Sequence, residues 1–203
     1  ATTGSDLAIV GVIDADVSGG LPKAVVFYVI NDIADLSTYA FGSANNGTGT
    51  DGPEYTFTGS ATAGDYIYIS STGDGVQAFT DFFGFAPTDN DSAALINGDD
   101  AIELFHDATG AFSGSETRVD IFGVTDGPST GWNYENGWAF RVGDTGPDSN
   151  FVPGNWLVQP VALAAETDNA SAGNPFPVGT FSNSGAPTVG DDVYVATATT
   201  DAN

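Results

Sequence analysis

The chain has 203 residues, of which 27 are Asp or Glu and only three are Lys or Arg, so its formal net charge is −24 with the single histidine neutral. The absence of cysteine excludes thiol nucleophiles, disulfides, zinc fingers and iron–sulfur clusters, and one histidine excludes sites built from several. A hydrophobic content of 41% with 12% aromatic residues is too apolar for a disordered acidic segment, so we expect a folded domain.

The charge balance also restricts the partners. Lys23, Arg118 and Arg141 are the only cations, too few to neutralise a row of phosphates, so we expect no direct nucleic-acid binding without divalent ions. The sequence contains no run of about 18 apolar residues, so we expect no membrane-spanning helix. The acidic surface suits a salt-rich or calcium-rich exterior, and a start at Ala1-Thr2-Thr3 is typical of a processed secretory protein. We therefore expect an extracellular, secreted location.

Short apolar runs interrupted by Gly, Asn and Asp predict an all-β sandwich. The predicted strands are Leu7–Ile13, Lys23–Ile30, Tyr55–Thr58, Tyr66–Ser70, Ala101–Phe105, Arg118–Phe122 and Trp138–Val142. In the fourth of these the tyrosines fall on one face and the isoleucines on the other. The run 25–30 lacks polar alternation and predicts a central strand buried on both faces.

One segment has a helical rather than a strand pattern. Apolar residues at Val76, Phe79, Phe82 and Phe83 follow the spacing of a helix face, and Gly84 provides a C-terminal stop. We predict one short helix there. Beyond Phe181 the composition becomes that of a linker, so the predicted division is a sandwich over 1–181 and a linker or extra strand over 182–203. The β-prone stretch Val193-Tyr194-Val195 lies in that second part.

Seven segments of the chain carry a family resemblance. They are 6–12, 19–25, 28–37, Phe79–Gly84, Asn97–Leu104, Val119–Gly123 and Gly137–Arg141. In this order they resemble the bacterial lamin-tail-like domains, over roughly residues 6–181. The resemblance implies an immunoglobulin-like β-sandwich, of the kind that often precedes secreted enzymes of the endonuclease/exonuclease/phosphatase type. It thus implies an accessory domain.

Catalytic patterns are weak in this sequence. His106-Asp107 lacks the further histidines of a metal-dependent phosphohydrolase, and no Gly-x-Ser-x-Gly motif accompanies a Ser-His-Asp triad. Paired carboxylates of a glycosidase are possible among so many acids, but no second Glu is tied by sequence to Glu103, which we expect to be an outward-facing or hydrogen-bonded strand residue. We predict that the chain is not an enzyme.

Calcium binding is a more natural use of acidic loops, because Ca²⁺ takes six to eight oxygen ligands and needs neither His nor Cys. Asp14 and Asp16 lie on one side of an extended segment, and Asp99 and Asp100 follow an Asn-Gly turn. These four are the predicted metal ligands. Other acidic clusters occur at Asp89-Asn90-Asp91 and at Asp144 with Asp148. Solvated acidic turns are the alternative explanation for each of them.

Aromatic rings near the turn 132–138 suggest a third kind of site. Trp138 alternates with Phe140 and Val142 and is expected to be buried, whereas Trp132 is the predicted loop ring on which a sugar could stack. The alternative for Trp132 is packing in the core.

Three functions remain in order of preference. The first is a noncatalytic extracellular accessory or interaction domain, associated with a secreted nuclease or phosphatase and contacting protein or cell-surface material. The second is a self-assembling extracellular subunit of a filament or surface layer, joined by strand pairing through 193–195 or the segment before Leu7, with calcium. The third is a carbohydrate-binding module.

Overall fold

A computed structural model describes residues 4–184 as a two-layer β-sandwich, which confirms the predicted all-β sandwich with one α-helix. In chain order its elements are β1 Leu7–Asp14, β2 Lys23–Val29, β3 Tyr39–Ala44, β4 Tyr55–Thr56, β5 Tyr66–Ser70, α1 Asp74–Phe83, β6 Asp89–Asn90, β7 Ala101–His106, β8 Thr117–Phe122, β9 Gly137–Arg141 and β10 Trp156–Gln159. One sheet has the order β10-β9-β1-β2-β5-β6, and the other has the order β4-β3-β7-β8.

The core between the sheets follows the side-chain alternation of the strands. Ile67 and Ile69 of β5 point into it, whereas Tyr66 and Tyr68 point to the outer face, as the sequence predicts. A second apolar layer covers the outer face of the six-stranded sheet, where α1 and the segment 162–181 pack. Strand β2 is central in that sheet and buried on both faces, which confirms the prediction of a central buried strand over 25–30.

The helix also forms where it is predicted. It ends at Gly84, whose φ of 80° is left-handed and whose N–H donates to the carbonyl of Thr80. Phe79 and Phe82 bury the apolar helix face against the outer layer. None of the helices in residues 4–184 combines the length and the apolar character needed to cross a membrane.

Three strands are missing from the sequence-based prediction. In β3, Gly and small residues hide the apolar alternation; a Cβ on Gly42 would lie 2.0 Å from the carbonyl oxygen of Gly52, so the loop before β4 closes directly on the strand backbone. Strand β6 has only two residues and pairs in parallel with β5, and β10 is a four-residue edge strand beside β9. The predicted segment 193–195 and the first three residues lie outside the described residues.

Candidate functional site

An open polar pocket of about 460 Å³ lies at one end of the sandwich. Four loop or strand-end segments form it: the end of β1 with the turn that follows, the start of β2, the turn before β7 and the turn before β9. It is lined by Asp14, Asp16, Gly20, Lys23, Asn97, Gly98, Asp99, Ser129, Asn133, Glu135 and Asn136. We call it the loop-end pocket.

Antiparallel register brings the two charged walls of the pocket together. Asp14 at the end of β1 is the direct partner of Lys23 at the start of β2, and their side chains form an ion pair. The Lys23 ammonium also donates to the side-chain oxygen of Asn97 at 3.2 Å, so it is held across the pocket floor. Both charged side chains are buried. The one cation of the pocket is therefore already neutralised.

The rim of the loop-end pocket carries carboxylates that are not paired with a Lys or Arg of the pocket lining. Asp16 and Glu135 are exposed, and Asp99 is half-buried. Gly98 allows this arrangement, because a Cβ there would lie 2.1 Å from the backbone of Glu135. The close approach of the two turns places Asp99 and Glu135 on the same rim. The electrostatic character of the site is thus anionic.

Three of the four predicted metal ligands, Asp14, Asp16 and Asp99, line this pocket. Asp100 does not: it is 1% exposed and accepts the backbone N–H groups of Asn46 at 2.9 Å and Asn97 at 2.7 Å. Burial raises the pKa of the Asp100 carboxyl, while these two hydrogen bonds lower it. Its observed role is to close the turn 97–100, which is a structural reason for an acid at that position.

Metal binding has a clear geometric limit here. Within residues 4–184, no group of three or more His, Cys, Asp or Glu side chains is placed to hold a metal ion together. The other acidic clusters are engaged separately: Asp89 accepts from the Tyr55 hydroxyl, Asp144 from Ser184, and Asp148 from Arg141 and Asn155. A cation at the loop-end pocket would need carbonyl or water oxygens in addition to carboxylates.

The prediction that Trp132 is an exposed loop ring is wrong. The ring is 3% exposed and packs edge-on against Phe122 and Phe151 in the core between the sheets. Its position beside Gly123, where a Cβ would lie 2.9 Å from the ring, shows how closely the backbone approaches it. A sugar has no access to this ring, so the core alternative is the correct one. Trp138 is buried, as expected.

The remaining chemical candidates are also engaged in structural contacts. The His106 ring lies edge-on to Tyr39 at 4.9 Å, while Asp107 accepts from Thr109 and Ser115. Glu103 was expected to be either an outward-facing or a hydrogen-bonded strand residue, and the second alternative is correct. Its buried carboxylate pairs with Arg118 at 2.7 Å and accepts a hydrogen bond from the Thr50 hydroxyl at 2.5 Å.

Sequence reasoning missed the buried charge pair between Arg141 and Asp120. Each of these residues is a charged residue at an inward-facing position of an otherwise apolar strand. That pattern in the sequence could have indicated a buried ion pair. Together with Lys23 and Arg118, Arg141 completes the set of cations, and all three form ion pairs. Comparison of the chain with family models, curated proteins and solved structures finds no match to any of them.

Proposed function

We propose that this chain is a noncatalytic extracellular interaction domain that contacts its partner through the loop-end pocket. The observation that carries the proposal is the convergence of four carboxylates from three separate chain segments on one open pocket whose single Lys is already paired. They belong to Asp14, Asp16, Asp99 and Glu135. Such a surface attracts cationic groups and steers them by long-range electrostatics. The partner we propose is therefore a basic protein segment or basic cell-surface material.

A titration with an octalysine peptide, followed by NMR chemical shifts of backbone amides, tests this proposal. We expect the largest shifts at residues 14–20, 97–99 and 133–136, weakening as salt rises. The triple variant Asp16→Asn, Asp99→Asn, Glu135→Gln should weaken binding at least about tenfold, which corresponds to about 1.4 kcal/mol.

A matched control separates a local site from net charge. The variant Asp51→Asn, Asp81→Asn, Glu116→Gln removes the same charge from positions outside the pocket lining. It should retain the wild-type affinity. An equal loss in both triple variants, or shifts spread over the whole surface, would contradict the proposal because binding would then depend only on the net charge of −24.

The association with a secreted nuclease or phosphatase is a further part of this proposal. Its support is the order of the lamin-tail-like segments, which runs through most of residues 6–181, on a two-sheet sandwich. The coding sequence that flanks these 203 residues tests it. We expect to find an adjoining catalytic domain of that class, or a neighbouring secreted enzyme that co-purifies with the domain. If both are absent, the accessory role loses its support.

Calcium is the ion that we propose for the loop-end pocket of the free domain, where it would compete with a basic partner for the same carboxylates. Asp16 and Asp99 offer carboxylate oxygens, and Asn136 on the same lining offers an amide oxygen. Hard cations prefer such ligands. Because the described carboxylates do not themselves form a three-member group, we expect a weak site in the range of extracellular calcium modules.

A further inference from the structure

A second open pocket lies on the other side of the turn that joins β1 to β2. Its volume is about 540 Å³; residues 17–22 of the turn form one wall, and α1 forms the other. We call it the turn groove. The apolar part of its lining consists of Val17, Leu21, Pro22, Ala78 and Phe82. The turn groove therefore differs from the loop-end pocket in offering mainly apolar contact to a ligand.

Packing of the turn and the helix fixes the two walls of the turn groove. The Val17 N–H donates to the carbonyl of Leu21 at 3.1 Å, which closes the turn. Ala78 and Phe82 are four residues apart on α1, so they lie on the same helix face. Phe82 is buried, whereas Val17 is 36% exposed. The groove thus has a buried apolar floor and an exposed apolar wall that exist before a partner binds, which lowers the cost of binding.

The turn between β1 and β2 is all that separates the turn groove from the loop-end pocket on this side. Asp16 and Gly20 line the loop-end pocket, whereas residues 17–19 and 21–22 line the turn groove. The two pockets are therefore about one strand spacing apart, roughly 5 Å. An extended peptide advances about 3.3 Å per residue, so a stretch of two or three residues can cross the turn.

We propose that one partner segment occupies both pockets, with Lys or Arg side chains in the loop-end pocket and an adjoining apolar side chain in the turn groove. This inference rests on the proposed function and adds the apolar residue that the basic partner must carry. Charge complementarity selects the cationic part, because the carboxylates of Asp16, Asp99 and Glu135 line the loop-end pocket.

The apolar side chain has a different task from the cations. Charged groups mainly speed the encounter of two partners, whereas a buried apolar anchor supplies much of the affinity. Within residues 4–184 the lining of the turn groove includes no Lys or Arg that would repel a basic segment. The Asp81 carboxylate on its helix wall accepts from the Gln77 side chain at 2.7 Å and is already engaged. We therefore expect the groove to select for apolar character and the loop-end pocket to select for charge.

Two peptides of equal charge test the inference on the full chain. One has a leucine with four lysines on each side, and the other has serine in place of the leucine. We expect the leucine peptide to bind at least about fivefold more tightly, because only its central side chain removes apolar surface from water. Both peptides should shift the backbone amides of 97–99 and 133–136, and only the leucine peptide should shift those of 77–82.

A pair of substitutions in the groove and a matched control locate the preference. The double variant Val17→Ser, Ala78→Gln should bind the two peptides equally, with the affinity for the serine peptide unchanged. That unchanged affinity also shows that the variant is folded. Val124→Ser removes another exposed valine, 41% exposed and outside both pocket linings, and should keep the preference for leucine.

The outcomes separate this inference from the proposed function. Equal affinities of the two peptides for the natural chain, or a preference that survives the double variant, would overturn the groove and leave the loop-end pocket standing. If the triple variant of the pocket rim binds the serine peptide as well as the natural chain does, the proposed function fails instead.

Two other occupants of the turn groove would also overturn the inference. Shifts of the 77–82 amides on removal of residues 185–203 would mean that this chain's own end covers the groove. Shifts of the same amides with protein concentration, in the absence of peptide, would mean that a second copy does. We expect neither change, since the groove should be open to the partner.

Discussion

Arg141 and Asp120 form an ion pair between the two sheets, with neither side chain exposed to solvent. The Nη2 atom of Arg141 lies 2.6 and 2.7 Å from the two carboxylate oxygens, and its Nε donates to the carbonyl of Ile9 at 2.6 Å. Asp120 in turn accepts the Ile9 N–H at 2.8 Å. The pair thus satisfies the backbone of β1 where its register with β2 shifts between Ile9 and Gly11.

Burial raises the pKa of the Asp120 carboxyl, whereas Arg141 and the N–H groups of Asp148, Ile9 and Ile121 lower it. All of these partners donate, so the carboxylate is the form that satisfies them. The guanidinium also lies 4.5 Å from the centre of the Trp156 ring, which ties β10 to the same network.

We expect Asp120→Asn to lower the free energy of unfolding by about 3–5 kcal/mol, because it leaves the buried Arg141 charge without its main counter-ion. Urea denaturation measures the change. Glu103→Gln is the control: its partner Arg118 has a 32% exposed side chain that can turn towards water, so its loss should be smaller. Equal losses in the two variants would contradict the importance of burial for the inter-sheet pair.

Trp132→Ala should lower the free energy of unfolding by about 3–5 kcal/mol, because it opens a cavity beside Phe122 in the core. Trp132→Phe should cost less than about 1.5 kcal/mol, since the Nε1 atom of Trp132 has no hydrogen-bond partner among the described residues and only the ring volume is reduced. Thermal denaturation of the two variants checks this. A Trp132→Ala protein with wild-type stability would restore the exposed-ring interpretation.

Calcium at 10 mM should stabilise the domain by about 1.4–2.7 kcal/mol if its dissociation constant lies at 10⁻⁴–10⁻³ M, as for extracellular modules. Thermal unfolding is compared with NaCl at matched ionic strength, because general screening of the net charge also stabilises the fold. The triple variant of the pocket rim should lose the calcium-specific part. The same shift in NaCl and in calcium would refute a specific site.

Duplex DNA should not bind the domain at low salt in the presence of a chelator, because all three cations are paired with carboxylates. Fluorescence anisotropy of a labelled duplex measures this, with a basic DNA-binding protein as the positive control. Saturable binding below about 10 µM under these conditions would contradict the electrostatic argument.

Asp107→Asn provides a test by pH. Hydrogen bonds from the Thr109 hydroxyl and N–H, at 2.6 and 2.8 Å, lower the pKa of the Asp107 carboxyl below its ordinary value of 3.8. A lowered folded-state pKa stabilises the fold above the unfolded-state pKa, and this contribution is lost as the pH falls through the folded-state pKa. The variant should thus be less stable than the natural chain at pH 7 but approach it near pH 2. A stability difference that does not change with pH would be inconsistent with this role.

Most of the fold could be predicted because strand patterns are local. In Tyr66–Ser70 the alternation of Tyr and Ile along the strand identifies its two faces, and Gly84 identifies the end of the helix. Strand β3 could not be recognised, because its burial depends on the loop around Gly52, which closes over Gly42 only after folding. For the candidate site, the acidic turns were visible, but the separation of Asp99 from its neighbour Asp100 was not: one lines the pocket, and the other is consumed by two backbone N–H groups.

Composition and neighbours along the chain are enough to predict an acidic surface, the lack of thiol and multi-histidine chemistry, and the alternation that builds two sheets. Which charges meet depends instead on the three-dimensional fold. Asp120 and Arg141 lie on different sheets, and Asp14, Asp99 and Glu135 come from a strand end and two turns that are far apart in the sequence. Such pairings are set by sheet register and loop closure, which have no counterpart in the local sequence.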